Sequence, residues 1–363
     1  MEGLELKTLF GGAYAGRKVL VTGHTGFKGS WLCLWLTRLG AQVTGLALAP
    51  DTEPSHWSLL KLDSVHDLRV DLRDRQAVQQ VFEQTRPEIV FHLAAQPLVR
   101  RSYREPLLTF ESNVLGLVHL LEAIRTTQSV KMLVNVTSDK VYREQATTGG
   151  YREDDPLGGH DPYSTSKACA ELVTECYRKS FFRESELRAA SARAGNVIGG
   201  GDWSEDRLIP DFVRAASAGR ALEIRNPEAV RPWQHVLEPL SGYLRLGQML
   251  LDGAAVEGAW NFGPAAGATI SVRALVSKMQ ALWPVEHLEQ RSDAQPREAA
   301  TLVLDSTKAS RELLWHPVWD AGETVRRTLK WYHTFHTDRR LLSDADLSDY
   351  VAAASAAGLQ WTR

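Results

Sequence analysis

Short apolar runs alternate with helical patterns through the first half of the chain. Positions 18–22 form a continuous apolar run, a glycine-bearing turn follows, and Phe27, Trp31, Leu34, Trp35 and Leu39 then recur at the spacing of a helix with one buried face. The pattern reads strand, tight turn, helix. Further strand-like runs at 42–48, 88–93 and 131–136 alternate with helical stretches at 74–84 and 103–127, and a long helix over 162–184 leads into a run at 187–194. Such alternation predicts an α/β fold, a Rossmann-type parallel sheet flanked by helices. Beyond Asn196 Gly, Pro and Trp punctuate the chain more often, and helices are expected at 208–218, 237–251, 272–280, 307–314 and 323–335. This divides the chain into a domain over 17–195, a smaller mixed α/β region over 196–340 with segments returning to the core, and a tail over 341–363. If the tail is helical, Leu347, Tyr350, Val351 and Ala354 share one face; its Ser and Ala content also suits a weakly docked end.

A length of 363 residues suits one large domain with a smaller one appended. The 42 basic and 44 acidic side chains leave a net charge of −2, which gives no global reason to bind nucleic acid or acidic lipid. Cys33, Cys169 and Cys176 form no CxxC pair, which argues against a disulfide scaffold or a structural zinc site. No basic start leads into a signal-peptide core, and no segment is expected to reach the roughly 20 apolar residues that span a bilayer. A soluble, cytoplasmic protein is therefore expected. His333 and His336 lack a third spaced ligand and read as helix-surface or packing residues, so no metal is expected.

Candidate chemistry begins in GHTGFKG, at the first strand–helix junction. There Gly23, Gly26 and Gly29 permit a tight turn and bring backbone N–H groups close to a pyrophosphate, with Phe27 opening the helix. The second strand ends in LALAPDTEP, where Asp51 suits a ribose contact and a turn cap equally. The absence of arginine from 46–54 favours NAD over NADP. A second constellation joins NVTSDKVY to DPYSTSK. Asp161 and Pro162 start a helix on which Tyr163 and Lys167, four residues apart, share a face. An adjacent ammonium lowers the cost of a phenolate, which would make Tyr163 a base for an alcohol proton, while Lys167 would also hold the nicotinamide ribose. Ser138, at a strand end, would hydrogen-bond the substrate hydroxyl. Asp139 and Lys140 follow it directly, a position that suits an acid/base pair better than a surface ion pair.

With these motifs, AAQPLVRRSY, GNVIGGGDW, DRLIPD and RPWQHVLEP resemble the extended short-chain dehydrogenase/reductase superfamily over about residues 18–335, and within it the CDP-glucose 4,6-dehydratase family. The GxxGxxG spacing is the superfamily's form. The resemblance implies a lyase that binds CDP-glucose and tightly held NAD, oxidises C4, eliminates water across C5 and C6 and returns hydride to C6. It makes Asp71 an adenine contact, Lys140 the C5 base and Asp139 the acid for the C6 hydroxyl. Asn113 then orients the catalytic helix and its water, or caps polar groups within the fold. Asn196, Trp203, Arg231 and, more weakly, Arg207 become substrate contacts, with the three glycines of GNVIGGGDW letting backbone approach the ligand. Lys140 stands where many relatives acting on other nucleotide sugars carry glutamate, which favours the CDP-sugar subgroup. A homodimer through helices near 103–127 and 162–184, with higher assembly open, and a role in bacterial surface-polysaccharide deoxysugars also follow from the resemblance. The alternatives are another nucleotide-sugar dehydratase, an epimerase, a dehydrogenase consuming NAD, and a nonenzymatic nucleotide sensor.

Overall fold

The computed structural model describes residues 6–145, 149–224, 226–265, 269–289 and 303–363. Its strands are β1 (Lys18–Thr22), β2 (Gln42–Ala47), β3 (His66–Arg69), β4 (Ile89–His92), β5 (Met132–Val136), β6 (Arg188–Arg193), β7 (Val197–Ile198), β8 (Leu222–Ile224), β9 (Val230–Arg231), β10 (Gln234–His235), β11 (Gly258–Asn261), β12 (Ile270–Ser271) and β13 (His287–Glu289). The helices are α1 (Phe27–Arg38), α2 (His56–Leu60), α3 (Arg75–Thr85), α4 (Val99–Arg104), α5 (Pro106–Phe110), α6 (Gly116–Thr127), α7 (Pro162–Ser180), α8 (Leu208–Ala218), α9 (Leu237–Leu251), α10 (Val272–Leu282), α11 (Ala321–Asp338) and α12 (Ser343–Ala356). Seven strands make one sheet in the order β11-β6-β5-β4-β1-β2-β3, and every neighbouring pair is parallel. The order reverses between β1 and β4, which opens a crevice at the carboxyl ends of those strands.

Side-chain alternation explains why both faces are covered. Val19, Val21, Ile89, Phe91, Met132 and Val134 join the core beneath α1 and α9, whereas Leu20, Val90 and Leu133 join the core beneath α3 and α6. β11 completes the sheet beside β6 after a long excursion through α8 and α9, and its four residues carry no alternation by which to recognise it. The smaller region contributes three two-stranded pairs, β10 with β7, β12 with β9 and β13 with β8.

The single helix expected over 103–127 is instead three, with a π-type turn over Glu111–Leu115 before α6. Pro106 disfavours helical backbone at Glu105, whose φ and ψ are −129° and 59°, so α4 ends there. The run Pro106–Thr127 has a mean hydropathy of 1.4 and is long and apolar enough to cross a membrane, contrary to the expectation that no segment would be. It is instead a core helix, with Leu117, Leu120, Leu121 and Ile124 packed against the sheet. The helix expected at 307–314 contracts to a π-type turn over Ala309–Leu313. The tail is firmly docked: Leu347, Tyr350, Val351 and Ala354 are buried along α12, and Trp361 stacks on Phe10 at 5.0 Å.

Candidate active site

The first loop is shaped by close approach. Gly23 has φ +74°, and a Cβ there would lie 2.7 Å from the Ala94 nitrogen; a Cβ on Gly29 would lie 2.1 Å from the Gly23 carbonyl oxygen. Side chains at either position would push α1 away from the crevice. Gly26 caps α1 without a side-chain hydrogen bond, so the first helical amides stay available to an anion. This cradle fits a dinucleotide pyrophosphate. Asp71, just beyond β3, is engaged by the Arg73 guanidinium at 2.6 Å, which holds its carboxyl below the usual range. At the end of β2 Asp51 is exposed, and Arg69 reaches in from β3 to the Leu48 carbonyl at 3.0 Å while pairing with Asp67 at 2.6 Å.

The second constellation converges as the sequence implies. β5 delivers Ser138 as the cap of a short 3-10 turn, Asp139–Val141, and Ser138 Oγ donates to Asp139 Oδ1 at 3.0 Å while accepting the Lys140 amide at 3.2 Å. Asp161 caps α7, and Pro162 opens it, which sets Tyr163 one turn above Lys167. Ser138 and Tyr163 lie close enough for the serine to influence the phenol. Burial pushes the phenol up to about 12, with Asp139 and Asp161 adding to the rise while Ser138 and Arg207 oppose it. This corrects the expectation of an eased phenolate. Lys167, itself pushed down to about 8 by burial, donates to the Val136 carbonyl at 3.2 Å. Asp139 is buried, with Gly195 so close that a Cβ there would lie 1.9 Å from Oδ2. Lys140 is half-buried beside it, its ammonium without a partner among the described residues.

Two buried networks hold this geometry. Asn113, in the π-type turn, accepts from the Gln96 amide at 2.7 Å and donates to the Gln96 carbonyl at 3.1 Å and to Ser166 Oγ at 2.8 Å. It pins α7 next to Lys167, so its polar groups serve the fold and the helix orientation together. Glu171, on the same helix, accepts from Thr137 and Ser191 at 2.5 Å each and from Arg193 at 3.0 and 3.1 Å. It locks α7 to β5 and β6; removing one partner of such a buried pair generally costs about 3–5 kcal/mol.

The later motifs are distributed differently from their expected roles. Asn196 follows Gly195, which packs on Asp139, and takes φ +45°, an unusual conformation for a side-chain-bearing residue. The glycines of GNVIGGGDW admit protein: Cβ atoms at Gly199, Gly200 and Gly201 would lie 2.9, 2.0 and 2.6 Å from Val236, Trp331 and His56. Trp203 packs edge-on against Trp331, Tyr332 and Phe335 of α11, at centroid distances of 5.7, 5.8 and 5.6 Å. Arg207 pairs with Asp202 at 2.9 Å and acts electrostatically on Tyr163, whereas Arg231 is buried on β9 and donates to the Val230 carbonyl at 3.0 Å. Among the described residues no cluster suited to a metal occurs, and His333 and His336 pack against Trp283.

Lys28 and Tyr243 escaped the sequence reading. Lys28 Nζ reaches to 3.5 Å from the Tyr243 hydroxyl, and burial pushes its ammonium down to about 7 against an opposing pull from Asp139. Tyr243, on α9, is buried and senses both Tyr163 and Asp139. A charged residue inside the otherwise apolar start FKGSWLCLW was the available signal for Lys28.

A family model described as GDP-mannose 4,6 dehydratase matches residues 20–328. The CDP-glucose 4,6-dehydratase of Salmonella typhimurium is 46% identical over 353 residues, covering 94% of this chain and 98% of the relative. An epimerase structure from Methanothermobacter thermautotrophicus superposes with a TM-score of 0.79 at 26% identity, covering 91% of this chain and 95% of that one. The Thermus thermophilus UDP-glucose 4-epimerase in complex with NAD superposes with a TM-score of 0.73 at 27% identity, covering 87% and 98%. Glycine cradle, Ser-Tyr-Lys set and whole-length similarity agree: the chain belongs to the extended short-chain dehydrogenase/reductase family of NAD-dependent epimerases and dehydratases.

Proposed function

We propose that this chain is a nucleotide-sugar 4,6-dehydratase that converts CDP-glucose to CDP-4-keto-6-deoxyglucose and water in the cytoplasm, with NAD as a resident cofactor regenerated in each turnover. The observation that carries this reading is the buried Asp139 carboxyl, which accepts a hydrogen bond from the Ser138 hydroxyl and acts electrostatically on Tyr163. An epimerase needs Ser138, Tyr163 and Lys167 but no acid beside them; a dehydratase needs a proton donor for the departing hydroxyl. The relative that is 46% identical over almost the full chain supports the cytidine nucleotide.

NAD, when bound, would supply the hydride exchange between C4 and C6; Gly23, Gly26, Phe27 and Gly29 would hold its pyrophosphate at α1, Asp71 its adenine and Lys167 its nicotinamide ribose. Tyr163, with Ser138 positioning the hydroxyl, takes the C4 alcohol proton. The ketone then acidifies C5, Lys140 removes that proton, and Asp139 protonates the leaving C6 hydroxyl. Asn196, Trp203, Arg231 and, more weakly, Arg207 are the substrate contacts of this reading, the arginines suiting a diphosphate. Tyr103, Leu107, Leu115 and Leu172, spread between α4 and α7, are large apolar side chains left exposed, which supports a homodimer through these helices. Three free cysteines suit a reducing compartment.

Product analysis with CDP-, dTDP-, GDP- and UDP-glucose tests the specificity. CDP-glucose should be dehydrated fastest, and faster turnover of another nucleotide sugar would reject the cytidine assignment.

A further inference from the structure

Gln234, in RPWQHV, is distant from Asp139 in sequence, yet its side chain reaches the backbone against which the Asp139 carboxyl packs. It lies on β10 and is buried. Its Nε2 donates to the Gly195 carbonyl at 3.1 Å and to the Phe262 carbonyl at 3.0 Å, and its backbone amide donates to the Asn196 carbonyl at 3.3 Å. Gly195 lies just beyond β6 and Phe262 just beyond β11, so one side chain ties together the carboxyl ends of two neighbouring strands.

We infer that Gln234 is a positioning residue for the acid step of the dehydration proposed above: it clamps Gly195 against the Asp139 carboxyl and so fixes where that group delivers its proton.

The carboxyl occupies the space that a side chain at position 195 would need. A Cβ on Gly195 would lie 1.9 Å from Oδ2, 2.2 Å from Cγ and 2.8 Å from Oδ1 of Asp139. Oδ1 accepts from Ser138 Oγ at 3.0 Å, but one hydrogen bond does not fix the second oxygen; contact with the Gly195 backbone does. The clamp needs an amide. Both groups facing Nε2 are carbonyl oxygens, which only an N–H donor satisfies, and a flipped amide would set oxygen against oxygen. Gln234 Oε1 is buried without a hydrogen-bond partner among the described residues, so the two donated bonds alone set the orientation of the amide. Tyr163 and Lys167 ride instead on α7, which Asn113 and Glu171 hold through Ser166 and Thr137. Loosening Gln234 therefore reaches elimination at C6 and spares oxidation at C4.

The test uses the NAD-loaded enzyme and CDP-glucose. Gln234→Met keeps the length of the side chain and removes the donor. It should form NADH at a near-parental rate on rapid mixing but release the C6 hydroxyl about 10²-fold more slowly, the scale on which a displacement of about 1 Å slows a reaction. Gly195→Ala leaves Gln234 in place and displaces the carboxyl directly, so it should show the same split. That variant decides the matter even if Gln234→Met fails to fold. In an Asp139→Asn background Gln234→Met should cause no further slowing, because the group it positions is gone. Parental dehydration in either variant, equal loss of NADH formation and dehydration, or the full additional slowing in the Asp139→Asn background overturns the positioning role alone. A parent that forms no dehydrated product from CDP-glucose removes the reaction assignment instead.

Discussion

Tyr163→Phe should lower dehydration by about 10² to 10⁴-fold, the range over which general acid/base catalysis contributes, and leave NAD affinity close to that of the parent. The substitution removes the alcohol base but keeps the ring within its buried place, the glycine cradle around Gly23 and Gly29, and Lys167 on the Val136 carbonyl. With no base for the C4 alcohol proton, no NADH should accumulate on rapid mixing with CDP-glucose. Calorimetric titration with NAD separates the two effects. Near-parental turnover would remove Tyr163 from the oxidation, and lost NAD binding would make its role structural.

Asp139→Asn should interrupt the reaction later. The amide preserves the shape packed against Gly195 but has no transferable acid proton, whereas Ser138, Tyr163, Lys167 and Lys140 remain. NADH should form in a rapid burst, C5 should exchange its hydrogen with solvent, and release of the C6 hydroxyl should slow by a factor comparable to that of Tyr163→Phe. Rapid-mixing absorbance and mass spectrometry in heavy water follow the three events separately. Loss of the burst would instead place Asp139 in the oxidation step.

The Rossmann half of the molecule was legible because its signals are local. The run at Lys18–Thr22, the glycine turn and the α1 periodicity lie within one short stretch, and the Tyr163–Lys167 spacing is set by a single helix. Features created by distant packing were not. β11 has only four residues and acquires its meaning by pairing with β6. The glycines at 199–201 look the same in sequence whether they admit a ligand or the side chains of Val236, Trp331 and His56. Tyr243 resembles an ordinary core position of α9, and its closeness to Asp139 depends on how α9 packs across the sheet. The shift of Tyr163 was misjudged for a related reason: burial outweighs the charges around it, and burial is set by the whole fold.

In the proposed reaction hydride leaves C4 and returns to C6 of the same sugar while the C6 hydroxyl departs. CDP-glucose carrying deuterium at C4, converted by the NAD-loaded enzyme and examined by NMR and mass spectrometry, tests this directly. A 4-keto product with deuterium in the C6 methyl group and no net NADH released is expected. Deuterium retained at C4 beside an intact C6 hydroxyl would indicate an epimerase, and deuterium released in stoichiometric NADH would indicate a dehydrogenase; either result would contradict the assignment.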